Sequence, residues 1–175
     1  VLVRTGYAGQ DGKYPLRPDY VAADLPAAVS WILEGHGAMG RRLAPVAAAA
    51  LETKLVLVGG LARAGKSSAA QVLKELMAAS GRPAHVLSLD SWLRPSAERS
   101  EGAGVAARFD LEAAAAVIGP LLSAARRVTL QLPVYDRARR TQLPNRLHVS
   151  IAPEDLVIVE GVPALLGDDL ARLAG

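Results

Sequence analysis

The sequence lacks cysteine, has few aromatic residues and contains no long uninterrupted apolar run. Without cysteine, disulfides, thiolate metal sites and cysteine nucleophiles are excluded. Aromatic residues make up only 4% of the chain, which leaves few surfaces for stacking single-stranded bases. No stretch of about eighteen apolar residues is free of polar interruption, and no secretory signal pattern opens the chain. The composition therefore predicts a cytoplasmic globular protein with no membrane partner.

Length and charge narrow the function further. A chain of 175 residues can bury one good core, which favours a single domain plus an additional segment. The formal net charge is +3, and most of the basic residues are arginines, which suit anionic partners such as phosphates. The sequence shows neither zinc-finger spacing nor a basic amphipathic run, so we do not expect a nucleic-acid partner.

Strand-like and helix-like segments alternate through most of the chain. The predicted strands and helices, in chain order, are Leu55–Val58, Lys66–Ala79, His85–Leu89, Leu111–Ala125, Val128–Leu132 and Leu156–Val159. Alternation of this kind predicts an α/β protein with a mostly parallel sheet.

The first fifty residues do not show this regular alternation. Short apolar runs at 1–3 and 20–24 are predicted strands, and Leu25–Leu33 is a predicted helix. Glu34–Arg42 contains three glycines and two adjacent arginines, so it is predicted to be a linker ahead of an alanine-rich helix, Leu43–Leu51. These patterns place a boundary near residues 35–52, between a segment 1–34 and a main domain 53–175.

A glycine-rich loop carries the strongest chemical signal. Residues 60–67, GLARAGKS, fit the Walker A pattern G-x-x-x-x-G-K-[ST] in full, and they lie between a predicted strand and a predicted helix. In such a P-loop, backbone amides and the lysine hold the phosphates of a nucleotide, and the hydroxyl binds magnesium. The predicted nucleotide-binding residues are Gly60, Ala62, Ala64, Gly65, Lys66, Ser67 and Ser68. The loop alone does not separate kinases from other NTPases.

Two acidic residues end predicted strands. Asp90 follows the strand that contains Leu89, and Glu160 ends the run that starts at Leu156. Because open α/β sheets bind ligands at the carboxyl ends of their strands, both carboxylates are expected near the phosphates. Asp90 could accept a substrate proton or help to hold magnesium, or it could cap a short helix. Glu160 is expected to hold magnesium or its waters, with an arginine ion pair as the alternative.

A third group of polar residues follows the predicted strand at Val128. Tyr135 and Asp136 are candidates for substrate contact, and the arginines around them are candidates for a substrate-facing loop or for a solvated basic surface. These arginines are Arg137, Arg139, Arg140 and Arg146.

Taken together, these segments resemble the uridine kinase and phosphoribulokinase family over about residues 54–170. The resemblance rests on the P-loop and on four further segments, SLDSW at 88–92, RFD at 108–110, LPVYD at 132–136 and VIVEG at 157–161. It implies a three-layer P-loop fold that uses ATP and Mg²⁺. It also implies Asp90 and Lys66 as catalytic residues, a metal site formed by Ser67, Glu160 and Asp90, and an acceptor site formed by Tyr135, Asp136, Arg137, Arg140 and Arg108.

Departures from the family pattern concern the acceptor. The family has an aromatic residue where Leu93 stands, a base-contacting histidine where Arg140 stands and an aspartate near the position of Gly104. Arginine in place of neutral base-recognition groups favours an anionic or polyhydroxylated acceptor, such as a sugar or sugar phosphate. The family also continues with an arginine-bearing lid, so the domain is predicted to be incomplete at its C-terminus.

A second, shorter resemblance concerns the first residues. Residues 1–7, VLVRTGY, with Asp19, Tyr20, Asp24 and Leu25, are similar to the end of a haloacid dehalogenase-type phosphatase. This implies that residues 1–34 are the remnant of such a domain, and that a phosphatase domain precedes them in a longer protein.

The sequence therefore predicts a kinase that transfers the ATP γ-phosphate to a hydroxyl of a small molecule. Three alternatives remain open. The chain could be a nucleotide-binding regulatory module without efficient turnover, a nucleoside kinase of the uridine kinase type, or an NTPase directed to nucleic acid.

Overall fold

The computed structural model describes residues 1–5, 21–99, 101–102, 104–166 and 168–174. It divides into two units, Val1–Arg42 and Leu43–Gly175. In the first unit, strand β1 (Leu2–Val3) pairs in parallel with β2 (Val21–Ala22). Four residues that carry the phosphatase-like resemblance, Gly6, Tyr7, Asp19 and Tyr20, lie outside the described residues.

Helix α1 runs without interruption from Leu25 to Ala50. Asp24 caps its start, because the Asp24 Oδ1 atom accepts a hydrogen bond from the backbone N–H of Ala27 at 2.9 Å. The linker predicted at residues 34–42 is therefore wrong as a description of the backbone, since this segment is helical. Each glycine costs a helix about 1 kcal/mol relative to alanine, and the good helix formers around them offset that cost.

The second unit is built on a three-stranded parallel sheet. Its strands lie in the order β3 (Leu55–Val58), β7 (Leu156–Glu160), β4 (Ala84–Ser88). All five residues of β7 are buried, as expected for the central strand of a parallel sheet covered on both faces. The register aligns Glu160 with Val58 on one side and Ser88 on the other. The carboxyl ends of the three strands therefore meet at one edge.

Helices cover both faces of this sheet. Alternate residues of β7 point to opposite faces. Val157 and Val159 pack in a cluster with Ile118 of helix α3 (Leu111–Leu122), whereas Leu156 and Ile158 pack in a second cluster with residues of helix α2 (Lys66–Ala79). This arrangement confirms the predicted three-layer α/β/α fold. The last helix, α4 (Asp168–Ala174), follows a 3₁₀ turn at Val162–Leu165.

An antiparallel hairpin stands beside the parallel sheet. It consists of β5 (Val128–Asp136) and β6 (Thr141–Ile151), and its register shifts between Leu132 and Val134, around Pro133. Only the first of these strands was predicted. Arg146, expected in a loop, lies exposed in β6. Most of β6 is exposed, so it lacks the alternating apolar pattern by which a half-buried strand is recognised.

None of the helices formed by the described residues combines the length and hydrophobicity that a membrane crossing requires.

Candidate active site at the carboxyl edge of the sheet

The P-loop connects β3 to the start of α2. Three of its residues have left-handed backbone conformations, namely Gly60 (φ 137°), Arg63 (φ 64°) and Gly65 (φ 82°). Glycine adopts such angles readily. Arg63 does so against the preference of a residue with a side chain, which shows how tightly the loop turns. Helix α2 begins at Lys66, as predicted, and within the described residues no side chain caps its N-terminus. Its first N–H groups are thus available to an anion.

Lys66 folds back over the loop. Its Nζ atom donates a hydrogen bond to the backbone oxygen of Leu61 at 2.8 Å. This bond holds the ammonium group against the P-loop. The side chain is partly buried, so its charge is less screened than that of a fully exposed lysine.

Ser67, in the first turn of α2, lies next to Glu160, the last residue of β7. The Ser67 Oγ atom donates a hydrogen bond to Glu160 Oε2 at 3.2 Å. Glu160 is 7% exposed, and within the described residues it has no ion pair with an arginine at this site. The structure therefore disfavours the arginine-pair alternative for Glu160.

This pair fits a magnesium site. A hydroxyl and a carboxylate are hard oxygen donors of the kind that Mg²⁺ prefers, and the ion commonly completes its shell with waters and substrate phosphates. Among the described residues, no group of three or more histidine, cysteine, aspartate or glutamate side chains is placed to hold a metal on its own. An ion at Ser67 and Glu160 would accordingly depend on nucleotide phosphates for further ligands.

Asp90 lies just beyond β4, in a 3₁₀ turn at Leu89–Trp92. Ser88 caps this turn, since its Oγ atom accepts a hydrogen bond from the Asp90 N–H at 3.3 Å. The alternative of Asp90 as the capping residue is therefore wrong. Its carboxylate instead forms an ion pair with Arg137, with 3.1 Å between Oδ2 and Nη2. The Asp90 side chain is 49% exposed and can be reached by a small molecule.

Asp136 organises the turn of the β5–β6 hairpin. Its Oδ1 atom accepts hydrogen bonds from the N–H groups of Ala138 (2.9 Å) and Arg139 (3.0 Å), and its Oδ2 atom pairs with the Arg139 guanidinium at 3.0 Å. These bonds favour the ionised carboxylate, so the pKa of Asp136 is lowered, chiefly by the backbone N–H of Arg139. Both oxygens of Asp136 already have partners within the turn, and its contact with an acceptor stays a prediction.

The remaining predicted acceptor residues, Arg140 and Arg108, both contact the segment that follows the Leu89–Trp92 turn. The backbone oxygen of Arg140, which has a left-handed conformation (φ 55°), accepts a hydrogen bond from Ser96 N at 3.1 Å. The backbone oxygen of Arg108 accepts one from Arg94 N at 2.9 Å. Both arginines are exposed. The segment after β4 and the hairpin turn are therefore joined, and Arg137 reaches from that turn to Asp90.

Sequence reasoning missed two residues that join these segments. The Gln142 Nε2 atom donates a hydrogen bond to the backbone oxygen of Ser91 at 3.1 Å. The Arg99 guanidinium donates a hydrogen bond to the hydroxyl of Tyr135. No local sequence pattern predicts either contact, because Gln142 and Ser91 lie 51 positions apart, and Arg99 and Tyr135 lie 36 positions apart.

Comparisons with known proteins agree with this fold. Neither a family model nor a curated protein sequence matches the chain. Among solved structures, a protein of Silicibacter sp. TM1040, provisionally assigned as a fructose transport system kinase, is 25% identical with a TM-score of 0.57, and the match covers 75% of this chain and 70% of that one. A protein of Bacillus stearothermophilus, provisionally assigned as a uridine kinase, is 21% identical with a TM-score of 0.63, covering 77% and 76%.

Both neighbours are P-loop kinases in fold, so the chain has a P-loop NTPase fold of the kind found in small-molecule kinases. These comparisons give no support to the resemblance of residues 1–34 to a phosphatase.

Proposed function

We propose that this protein is an ATP-dependent kinase that transfers the γ-phosphate to a hydroxyl of a sugar, sugar phosphate or nucleoside-like acceptor. The observation that carries the proposal is the meeting of three groups at one edge of the sheet. These are the P-loop with Lys66, the hydrogen-bonded pair of Ser67 and Glu160, and the half-exposed Asp90. Phosphoryl transfer needs a phosphate cradle, a metal site and a base, and these groups supply all three.

In this proposal the nucleotide lies on the P-loop. The N–H groups at the start of α2 and the Lys66 ammonium bind its phosphates and balance their charge. Ser67 and Glu160 would hold Mg²⁺, which would neutralise further charge on the phosphate oxygens. Asp90 accepts the proton of the acceptor hydroxyl as the hydroxyl oxygen bonds to the γ-phosphorus and the bond to the β-phosphate oxygen breaks, releasing ADP.

In this scheme, both Arg137 and the acceptor hydroxyl contact the Asp90 carboxylate. A carboxylate has two oxygens and about four lone-pair positions, and Arg137 occupies part of one oxygen. The other oxygen remains for the acceptor proton. The guanidinium beside it is a donor that suits hydroxyl or anionic oxygen atoms. This placement supports a polyhydroxylated or anionic acceptor, as the arginine content of the turn also does.

A second function is supported by the same ion pair. If Arg137 holds Asp90 permanently, the protein would bind nucleotide without transferring phosphate, as a regulatory module does. A nucleoside acceptor is the third possibility, and it has support from the fold likeness to the possible uridine kinase. The three functions predict different substrate dependence.

The experiment that tests the proposal is a measurement of ADP release with Mg²⁺ and ATP. The acceptors are uridine, D-ribose, D-fructose and D-fructose 6-phosphate. We expect one class to stimulate ADP release and Asp90→Asn to lower kcat by roughly 10²-fold to 10⁴-fold, which is the usual contribution of a general base. The control is Glu52→Gln, an amide substitution at an exposed carboxylate in the loop before β3, which should leave kcat unchanged.

Two other results would contradict it. ATP binding without ADP release for any acceptor would favour the regulatory module. Full activity in Asp90→Asn would show that another group accepts the proton.

A further inference from the structure

Arg99 makes three contacts, two of them with Tyr135. Its Nε atom donates a hydrogen bond to the backbone oxygen of Arg94 at 2.7 Å. Its Nη2 atom donates a hydrogen bond to the hydroxyl of Tyr135. Its guanidinium carbon also lies 5.2 Å from the centroid of the Tyr135 ring, within the range of a cation–π contact. The first contact anchors the guanidinium, and the other two fix the tyrosine.

The chemistry of the two groups determines the direction of the hydrogen bond. A guanidinium has five N–H donors and no acceptor, so the Tyr135 oxygen must accept. The phenolic hydrogen is then not used by Arg99 and can be donated to another group. A phenol that accepts a bond from a cation is also a stronger donor, because hydrogen bonds in a chain polarise one another. The contact with Arg99 therefore leaves the Tyr135 hydroxyl to act as a hydrogen-bond donor to another group.

The position of Tyr135 shows where that donor lies. Tyr135 is in β5, and Arg137 lies in the turn that follows this strand. Arg137 reaches Asp90. On the facing strand, Gln142 is the register partner of Tyr135, and it donates to the backbone oxygen of Ser91, next to Asp90. Tyr135 therefore lies in the part of the hairpin that contacts the segment around Asp90, the proposed base.

We infer that Arg99 is a positioning residue that fixes Tyr135 as a hydrogen-bond donor to the phosphate acceptor. This inference rests on the proposed kinase function. It narrows the acceptor to molecules that present an oxygen lone pair, from a hydroxyl, carbonyl or phosphate group, beside the hydroxyl that reacts. Arg99 acts through Tyr135, so removing Arg99 should weaken acceptor binding and leave the chemical step largely intact.

The test is a double-mutant cycle on acceptor kinetics. Arg99→Gln, Tyr135→Phe and the double variant are compared with the unchanged protein, using Mg²⁺, ATP and each of the four acceptors named above. Arg99→Lys retains the charge and a hydrogen-bond donor group, without the planar shape of the guanidinium. Arg127→Gln removes an exposed arginine ahead of β5 and is the matched control. Thermal unfolding of each variant separates a loss of positioning from a loss of folding.

For the acceptor that is phosphorylated, we expect Tyr135→Phe to raise KM about fivefold to tenfold, the effect of one hydrogen bond. Arg99→Gln should raise KM by a similar or smaller factor, with kcat changed less than twofold. The double variant should be no worse than Tyr135→Phe alone, because Arg99 has nothing left to position. Arg99→Lys should recover part of the loss.

Each other result overturns the inference. An unchanged KM in Arg99→Gln, or effects that add in the double variant, would show that Arg99 does not act through Tyr135. A parallel loss of kcat and thermal stability would assign Arg99 a structural role only. In those cases phosphorylation itself still supports the kinase. If none of the four acceptors is phosphorylated, the proposed function fails and the inference fails with it.

Discussion

Gly161 stands where a side chain would collide with the turn that carries Asp90. A Cβ atom at this position would lie 2.7 Å from the Cβ atom of Leu89, well inside van der Waals contact. Leu89 is fully buried and immediately precedes Asp90. Gly161 itself immediately follows Glu160. The absence of a side chain at residue 161 therefore leaves room for the turn that carries Asp90 beside the end of β7.

We expect Gly161→Ala to move the Leu89–Trp92 turn and to lower both stability and activity. Overpacking of a buried contact typically costs about 1 to 3 kcal/mol in the free energy of unfolding. Because the displaced turn carries Asp90, kcat should fall as well. Chemical denaturation and ADP release measure the two effects. Gly104→Ala is the control for stability, since a Cβ atom at Gly104 meets nothing within 4 Å. Unchanged stability in Gly161→Ala would show that the contact relaxes without cost.

Among individual residues, the sequence locates those that belong to a local pattern formed with their neighbours in the chain. Lys66 and Ser67 belong to a contiguous motif, and Glu160 follows an apolar strand, so a local pattern locates each of them. The structure places all three at one edge. Arg99 and Gln142 could not be predicted, because their partners are set by the packing of the hairpin against a distant segment. The roles proposed for the site residues stay predictions.

Among the elements, the end of helix α1 is bound by the Arg82 side chain. Arg82 Nη1 donates hydrogen bonds to the backbone oxygens of Ala50 (2.6 Å) and Leu51 (2.8 Å), and Arg82 Nε donates to that of Glu154 (2.9 Å). The last carbonyls of a helix have no partner within the helix. The carbonyl of Ala50 accepts a hydrogen bond from the Thr53 N–H at 3.3 Å as well as the bond from Arg82, and Arg82 links this helix end to the loop ahead of β7.

Replacing Arg82 with alanine should therefore destabilise the protein. We expect Arg82→Ala to lower the free energy of unfolding by about 1 to 2 kcal/mol, since water replaces part of what the guanidinium supplies. Arg82→Lys should recover little, because a single ammonium group cannot reach three carbonyls in the fixed geometry of a guanidinium. Urea denaturation of the three proteins measures this. Equal stability of Arg82→Lys and the unchanged protein would mean that charge alone matters. The KM for ATP should not change, because these contacts lie at the opposite edge of the sheet from the P-loop.

The elements predicted most accurately are those with a strong apolar pattern. Strand β3 and helix α2 were predicted with the bounds that the structure shows. Strand β6 was not, because its exposed face and its polar residues around Asn145 resemble a loop. Helix α1 was interrupted in the prediction at its glycines, which propensity alone reads as a break. Helix contacts that no local rule counts keep its C-terminal part in place, as Ala47 and Ala50 pack in the cluster of α2.

For the whole molecule, alternation of strands and helices was enough to predict the layered parallel sheet. It was not enough to predict that β5 leaves this sheet and pairs with β6 in antiparallel fashion. A parallel strand and a hairpin strand have similar composition when each is short, and only the pairing partner distinguishes them. The order β3, β7, β4 also follows from packing, since β7 comes last in the chain and lies in the middle.

The core of the second unit is self-contained. Among the residues that the structure describes, every member of the two apolar clusters around the sheet lies between residues 47 and 173. The P-loop, Asp90, Glu160 and the hairpin lie in the same unit, Leu43–Gly175. A unit with its own core and its own site should fold and bind nucleotide without the residues that precede it.

We therefore expect a protein that begins at Leu43 to unfold cooperatively and to be stabilised by Mg²⁺ and ATP as much as the full chain is. A ligand that binds only the folded state stabilises it by about 2.7 kcal/mol at a concentration 100 times its Kd. Equal rises in Tm for the two proteins over a titration of ATP would show equal affinity. Lys66→Ala in both proteins is the control and should remove the rise, since it takes away the cation of the P-loop. A Tm rise confined to the full chain would show that residues 1–42 contribute to the nucleotide site, and the predicted boundary near residues 35–52 would then not separate independent domains.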